Sequence, residues 1–197
     1  MDELLEAVGR TARDLWQKGW AERNAGNVSV RLDPGDALPE ASREEPWRPI
    51  GASVPEVGGQ RFLFTGTGTF MRTLELSPPR DLGAIEVDPA GEAFRVLWGY
   101  ERGGRPTSEL PPHLRAHAAR ARASGGADRA IIHTHPPNLI ALTYALDLDT
   151  RSLTRLLWEM HTECIVVFPR GCGFMPWRMP GSDDLARATA EVLAQRR

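Results

Sequence analysis

Leu4, Leu5, Val8, Ala12, Leu15 and Trp16 recur at helical spacing, so the pattern predicts an amphipathic helix over residues 3–18, closed by Lys18-Gly19. Val28-Ser29-Val30-Arg31-Leu32 alternates, which is the period of a strand. Residues 61–65, 83–87 and 94–100 read as further strands. Gly66-Thr67-Gly68 follows the first, and Asp88-Pro89-Ala90-Gly91 makes a hairpin turn between the other two. Thr107-Ser108 precedes a helix of about 15 residues, with Pro111 and Pro112 early and Ser124-Gly125-Gly126 at its end. A β-branched run, Ala130-Ile131-Ile132, leads as a strand into His133. Helices are predicted near Pro137–Ala145, over Leu153–Met160, and from the cap Ser182-Asp183-Asp184 to Arg197; Cys164–Phe168 reads as a strand.

Residues 33–60 break this rhythm with Pro34, Pro39, Pro46, Pro49 and Pro55 and with Gly51, Gly58 and Gly59. They form a long irregular excursion within one domain spanning 1–197, of the kind that is functional or mobile. Sequential strands joined partly by short turns predict an α/β fold, a mainly antiparallel central sheet with helices packed on both faces.

The bulk numbers remove several classes of function. A chain of 197 residues can bury a sizeable core. A net charge of −2 gives no basic field for nucleic acid. The cysteines, Cys164 and Cys172, make no CxxC pair, which fits a reducing cytoplasm. The N-terminus has neither the basic nor the apolar region of a signal peptide, and no apolar run approaches the roughly 18 residues of a membrane span.

The candidate chemistry centres on His133-Thr134-His135. At the end of a strand, residues i and i+2 share a face, so two imidazoles project side by side, as half or more of a zinc site. Glu109 opens the helix after Thr107-Ser108. It reads either as a plain first-turn acid or as a general base beside a metal. His113 and His117 follow on its helical face; they have the chemistry of ligands but rank first as packing or supporting histidines. Asn24-Ala25-Gly26-Asn27 and Thr65-Gly66-Thr67-Gly68-Thr69 are ordinary turn sequences that also offer N–H and hydroxyl donors for an anion. Thr107 and Ser108 add donors at a helix N-terminus.

The order Asn-Ala-Gly-Asn-Val-Ser, Thr-Gly-Thr-Gly, Ser-Glu-Leu-Pro-x-His and His-Thr-His-Pro resembles the class II aldolase/adducin family. The likeness extends through Lys18–Asn24, Asn138–Tyr144, Leu157-Trp158-Glu159 and Thr162–Pro169, essentially the whole chain. The resemblance implies zinc-dependent retro-aldol cleavage of a ketose 1-phosphate, L-rhamnulose 1-phosphate, to dihydroxyacetone phosphate and L-lactaldehyde. It implies His133 and His135 as zinc ligands, and Glu109 as acid/base able to touch the metal. Asn24, Asn27, Thr67, Thr107 and Ser108 would hold the phosphate, and Glu163 would be a second carboxylate for proton transfer. It further implies a homotetramer. The family takes a third histidine ligand from a segment beyond the C-terminal helix; the chain's last residue is Arg197, so the resemblance reads as C-terminally short. A metal route also suits a chain whose only lysine, Lys18, lies near the end of a surface helix, because the other route to a stabilised enediolate is a lysine Schiff base. Two other readings stay open: a sugar-phosphate dehydratase or epimerase on the same scaffold, and a non-catalytic adducin-like binding module.

Overall fold

The computed structural model describes residues 1–38, 45–101 and 103–195. Six strands form one sheet: β1 (Asn27–Arg31), β2 (Arg48–Pro49), β3 (Arg61–Thr65), β4 (Leu82–Val87), β5 (Ala93–Gly99) and β6 (Ala130–His133), in the order β2-β5-β4-β3-β1-β6. Every neighbouring pair is antiparallel. Eight helices accompany them among the described residues: α1 (Asp2–Gln17), α2 (Met71–Leu74), α3 (Pro78–Asp81), α4 (Leu110–Ser124), α5 (Pro137–Ala145), α6 (Thr150–Met160), α7 (Glu163–Val167) and α8 (Asp183–Ala194). The tip of the excursion, 39–44, and the last two residues of the expected final helix lie outside the described residues.

The period-2 alternation decides which face each side chain serves. Val28, Val30 and Leu63 join Leu5, Val8 and Ala12 of α1 and Met71 and Leu74 of α2 in one apolar cluster. Phe62, Phe64, Ile85 and Val87 point the other way and pack with Leu110 and Leu114 of α4. Helices therefore cover both faces. The excursion is not wholly loose, since Ile50, Val54 and Val57 are buried in the α4-side cluster. Among the described residues no helix is long and apolar enough to cross a membrane.

Local signals explain the ends. Asp88 turns β4 into β5 by accepting N–H bonds from Ala90, Glu92 and Ala93. Gly125, at φ +64°, closes α4, with the Gly126 N–H on Ala121 O. Ser182 caps α8, accepting from Leu185 N–H at 3.1 Å. Gly83 is set by packing: a Cβ there would lie 2.1 Å from the ring of Tyr100, whose buried hydroxyl donates to Phe64 O. We expect Gly83→Ala to destabilise the fold by roughly 1–3 kcal/mol in a urea melt; an unchanged midpoint would show that the ring yields freely.

One element departs from its expectation. Cys164–Phe168 is not a strand; α7 covers most of it, with Phe168 N–H bonded to Cys164 O at 3.0 Å. A strand needs a neighbour, and no described strand pairs with this run. Its backbone groups are satisfied locally instead, leaving Val166 and Val167 more than 70% exposed, at 74% and 73%. His161 accordingly ends α6 rather than preceding a strand.

Candidate active site

Antiparallel pairing of β1 with β6 places Asn27 opposite His133. The start of β1, the end of β3, the N-terminus of α4 and the end of β6 thus meet at one edge of the sheet. They enclose an open cleft of about 420 Å³ lined by residues 22–27, 66–68 and 107–109 with His133 and His135. The three donor-rich turns and the histidine pair, scattered along the sequence, share this one cleft. Gly26 allows the close approach. It has φ +81°, and a Cβ on it would stand 2.7 Å from His133 O.

The histidine pair is set from the backbone outward. His135 N–H and Thr134 Oγ1 both donate to Trp20 O, at 2.8 and 2.6 Å. The Nε2 atoms of His133 and His135 converge to 3.0 Å. Two tetrahedral ligands at zinc–nitrogen distance stand roughly 3.3 Å apart, so the pair suits one shared cation after a few tenths of an ångström of opening. On its other side, His133 Nδ1 meets Glu109 Oε2 at 2.5 Å. A carboxylate there fixes the ring and leaves Nε2 free to bind metal. Glu109 thus bonds the far nitrogen of His133 instead of converging with the two Nε2 atoms. Among the described residues no group of three His, Cys, Asp or Glu is arranged to hold a metal.

Glu109 is half-buried and also accepts from Asn27 Nδ2 at 3.1 Å. The bond from His133 holds its carboxyl down at about 2, against the opposing effect of burial, so it is ionised at neutral pH. Thr107 Oγ1 accepts from Asn27 Nδ2 at 3.2 Å and from Glu109 N–H at 3.3 Å, which leaves its own proton for a ligand. Thr67 Oγ1 donates to Pro106 O at 2.8 Å. Asn24 and Ser108 line the same cleft. Burial, and then the neighbouring His133, lowers the His135 pKa.

His113 and His117 are buried beneath this layer and both reach Ser29 Oγ, at 2.6 and 2.8 Å. They are packing and supporting histidines, as expected. Burial pushes their pKa values down to about 4 and about 3. Both therefore stay neutral in the fold while the unfolded chain takes up protons from about pH 6.5 downward. Their contribution is complete above that value and is lost as pH falls toward 4 and then 3. Each should cost roughly 2–3 kcal/mol by about pH 4.5. Denaturant melts against pH should show this loss, and a flat profile between pH 7 and 4.5 would contradict it.

Glu163 lies elsewhere, exposed at the start of α7 and not among the residues lining the cleft. Lys18 is exposed too, its Nζ 5.6 Å from the Trp20 ring centroid, and is not a lining residue. Sequence reasoning missed Arg23, an arginine in the cleft wall with φ +54°. Its side-chain charge was visible. Its left-handed backbone was not, since arginine has no preference for that region.

A sheet of this order with paired histidines and a carboxylate at its edge defines a class. The chain belongs to the class II aldolase and adducin N-terminal domain family, whose model matches residues 6–197. Within that family it is an aldolase, a carbon–carbon lyase. It is 47% identical over 197 residues to a rhamnulose-1-phosphate aldolase of Mannheimia succiniciproducens, covering 98% of this chain and 72% of that protein. It is 44% identical over 193 residues to the rhamnulose-1-phosphate aldolase of Escherichia coli K12, covering 96% and 70%. The structure of a sugar-phosphate aldolase from Thermotoga maritima superposes with a TM-score of 0.81 at 31% identity, over 100% of this chain and 79% of that one. An L-fuculose-1-phosphate aldolase from Thermus thermophilus, at 23% identity and TM-score 0.59, shares the fold over 100% of this chain and 74% of its own.

Proposed function

We propose that this chain cleaves L-rhamnulose 1-phosphate to dihydroxyacetone phosphate and L-lactaldehyde with zinc as its metal. The observation that carries the reading is one cleft holding two converging imidazoles, an ionised carboxylate and a wall of neutral N–H and O–H donors. The similarity to the two rhamnulose-1-phosphate aldolases supports the choice of sugar.

His133 and His135 would hold the cation, which when bound supplies a Lewis acid for the ketose oxygens. Asn24, Thr107 and Ser108 would give donors to the phosphate, fixing the register of the carbon chain and supplying remote binding energy, while Asn27 and Thr67, whose side-chain hydrogens go to Thr107, Glu109 and Pro106 O, would shape that seat. Arg23 adds the charge that such an anion needs. Glu109, ionised at rest, takes the proton of the C4 hydroxyl as the C3–C4 bond breaks and C4 becomes the aldehyde carbonyl, then delivers that proton to C3, which keeps the bond's electron pair and becomes a carbon of dihydroxyacetone phosphate; in synthesis both transfers run backward. Glu163, exposed at the start of α7 and outside this cleft, would serve as the second carboxylate from a neighbouring subunit.

The proposal includes a cytoplasmic homotetramer, for which the exposed side chains of Tyr144, Val166, Val167 and Trp177 offer apolar contact surface. The test is the zinc-loaded protein with a panel of ketose 1-phosphates and product analysis. L-Rhamnulose 1-phosphate should release dihydroxyacetone phosphate and L-lactaldehyde in equal amounts. Dehydrated or epimerised sugar, or no turnover in metal-replete protein, would defeat it.

A further inference from the structure

Beneath the cleft runs a buried chain of polar groups: Glu109, Asn27, His113, Ser29 and His117. Its protons can be placed by chemistry alone. An ionised carboxylate only accepts, so Asn27 must turn its amide nitrogen toward Glu109 Oε2. Asn27 Oδ1 then faces His113 Nε2, and because a carbonyl oxygen cannot donate, that nitrogen carries the hydrogen of this short bond. His113 is neutral, so its Nδ1 is bare and accepts from the Ser29 hydroxyl at 2.6 Å. Having given its proton, Ser29 Oγ accepts from His117 Nε2–H at 2.8 Å. The Nδ1 of His117 is then a bare acceptor, and it is a buried atom with no hydrogen-bond partner. Every hydrogen points one way, from the interior of α4 toward Glu109. Reversing Asn27 would set its carbonyl oxygen against the carboxylate, two acceptors with no hydrogen between them.

We propose that Ser29, His113 and His117 are positioning residues: a one-way hydrogen-bond chain that locks the Asn27 amide and, through it, the catalytic carboxylate of Glu109. The inference rests on Glu109 being the acid/base. Its placement explains features that simple packing does not. Ser29 is a polar residue at 0% exposure on a strand whose flanking Val28 and Val30 serve the opposite apolar cluster. Two histidines one helical turn apart on α4 share its single hydroxyl. A buried acceptor left unsatisfied at the far end is the expected cost of a chain with a fixed direction.

Two measurements test it. Long-range ¹⁵N–¹H spectra of the zinc-loaded protein near neutral pH should show both His113 and His117 as neutral Nε2–H tautomers. An Nδ1–H tautomer at His113 would overturn the chain, whatever the enzyme's activity. Kinetically, His113→Leu should lower kcat per folded site by about tenfold to a hundredfold with KM changed less than about threefold. His113→Gln, whose amide nitrogen can replace Nε2 as donor to Asn27, should recover most of that loss. Equal kcat in the two variants, or an unchanged kcat in His113→Leu, would refute the positioning role. Should His113→Leu fail to fold, Ser29→Ala breaks the same chain and is read by the same criterion. If the wild-type protein makes no dihydroxyacetone phosphate, the aldolase reading fails by itself, and the tautomers still decide the chain.

Discussion

Glu109→Gln is expected to lower kcat by about 10²–10⁴ while the zinc content stays at the wild-type level. Glutamine keeps the shape of the side chain and can still accept from Asn27 or His133, so the cleft should not collapse. It cannot take up a proton, and proton movement at the reacting carbon is the role assigned to this group. The two Nε2 atoms that would bind zinc are not the atoms that Glu109 touches: its contact is His133 Nδ1, on the other side of the ring. Metal binding and turnover should therefore separate in this variant. Steady-state kinetics beside metal analysis on one preparation checks both. Normal turnover would show that another group moves the proton.

His133→Ala should separate them the other way. It removes one of two converging nitrogens and also the partner of Glu109, so zinc affinity should fall by more than about a hundredfold and turnover with it. His135→Ala should lose zinc comparably while the Glu109–His133 bond survives. His161→Ala is the control: this residue is exposed at the end of α6, and its loss should leave zinc binding unchanged. Equilibrium dialysis with zinc ranks the four proteins. Retention of tight binding in His133→Ala would remove the cation from this strand.

Much of this site was legible because its residues are chemically conspicuous. His-x-His at the end of a β-branched run, Glu109 after two hydroxyls and three donor-rich turns are local features, and all of them reach the cleft. What could not be read is what long-range register decides. Nothing near Asn27 says that it will lie opposite His133, or that Thr107 will bond to the end of β3. Ser29 has the sequence setting of the solvent side of an amphipathic strand; only the docking of α4 over that face turns it into the floor of the site. Arg23 was hidden by a backbone conformation its side chain does not advertise. Ile165-Val166-Val167 misled in the opposite sense: β-branching argued for a strand, but a strand exists only beside another, and none is placed there among the described residues. The fold itself was the easier part, since alternation in β1 and β3 and the punctuation by Gly125, Asp88 and Ser182 are consequences of geometry within a few residues.

The whole scheme depends on one divalent cation seated between His133 and His135. Anomalous scattering at the zinc edge, from a crystal of the zinc-loaded protein, reads its position without reference to activity. A single strong peak is expected about 2.0–2.1 Å from both Nε2 atoms. A peak bonded elsewhere, or none at full zinc loading, would contradict this placement.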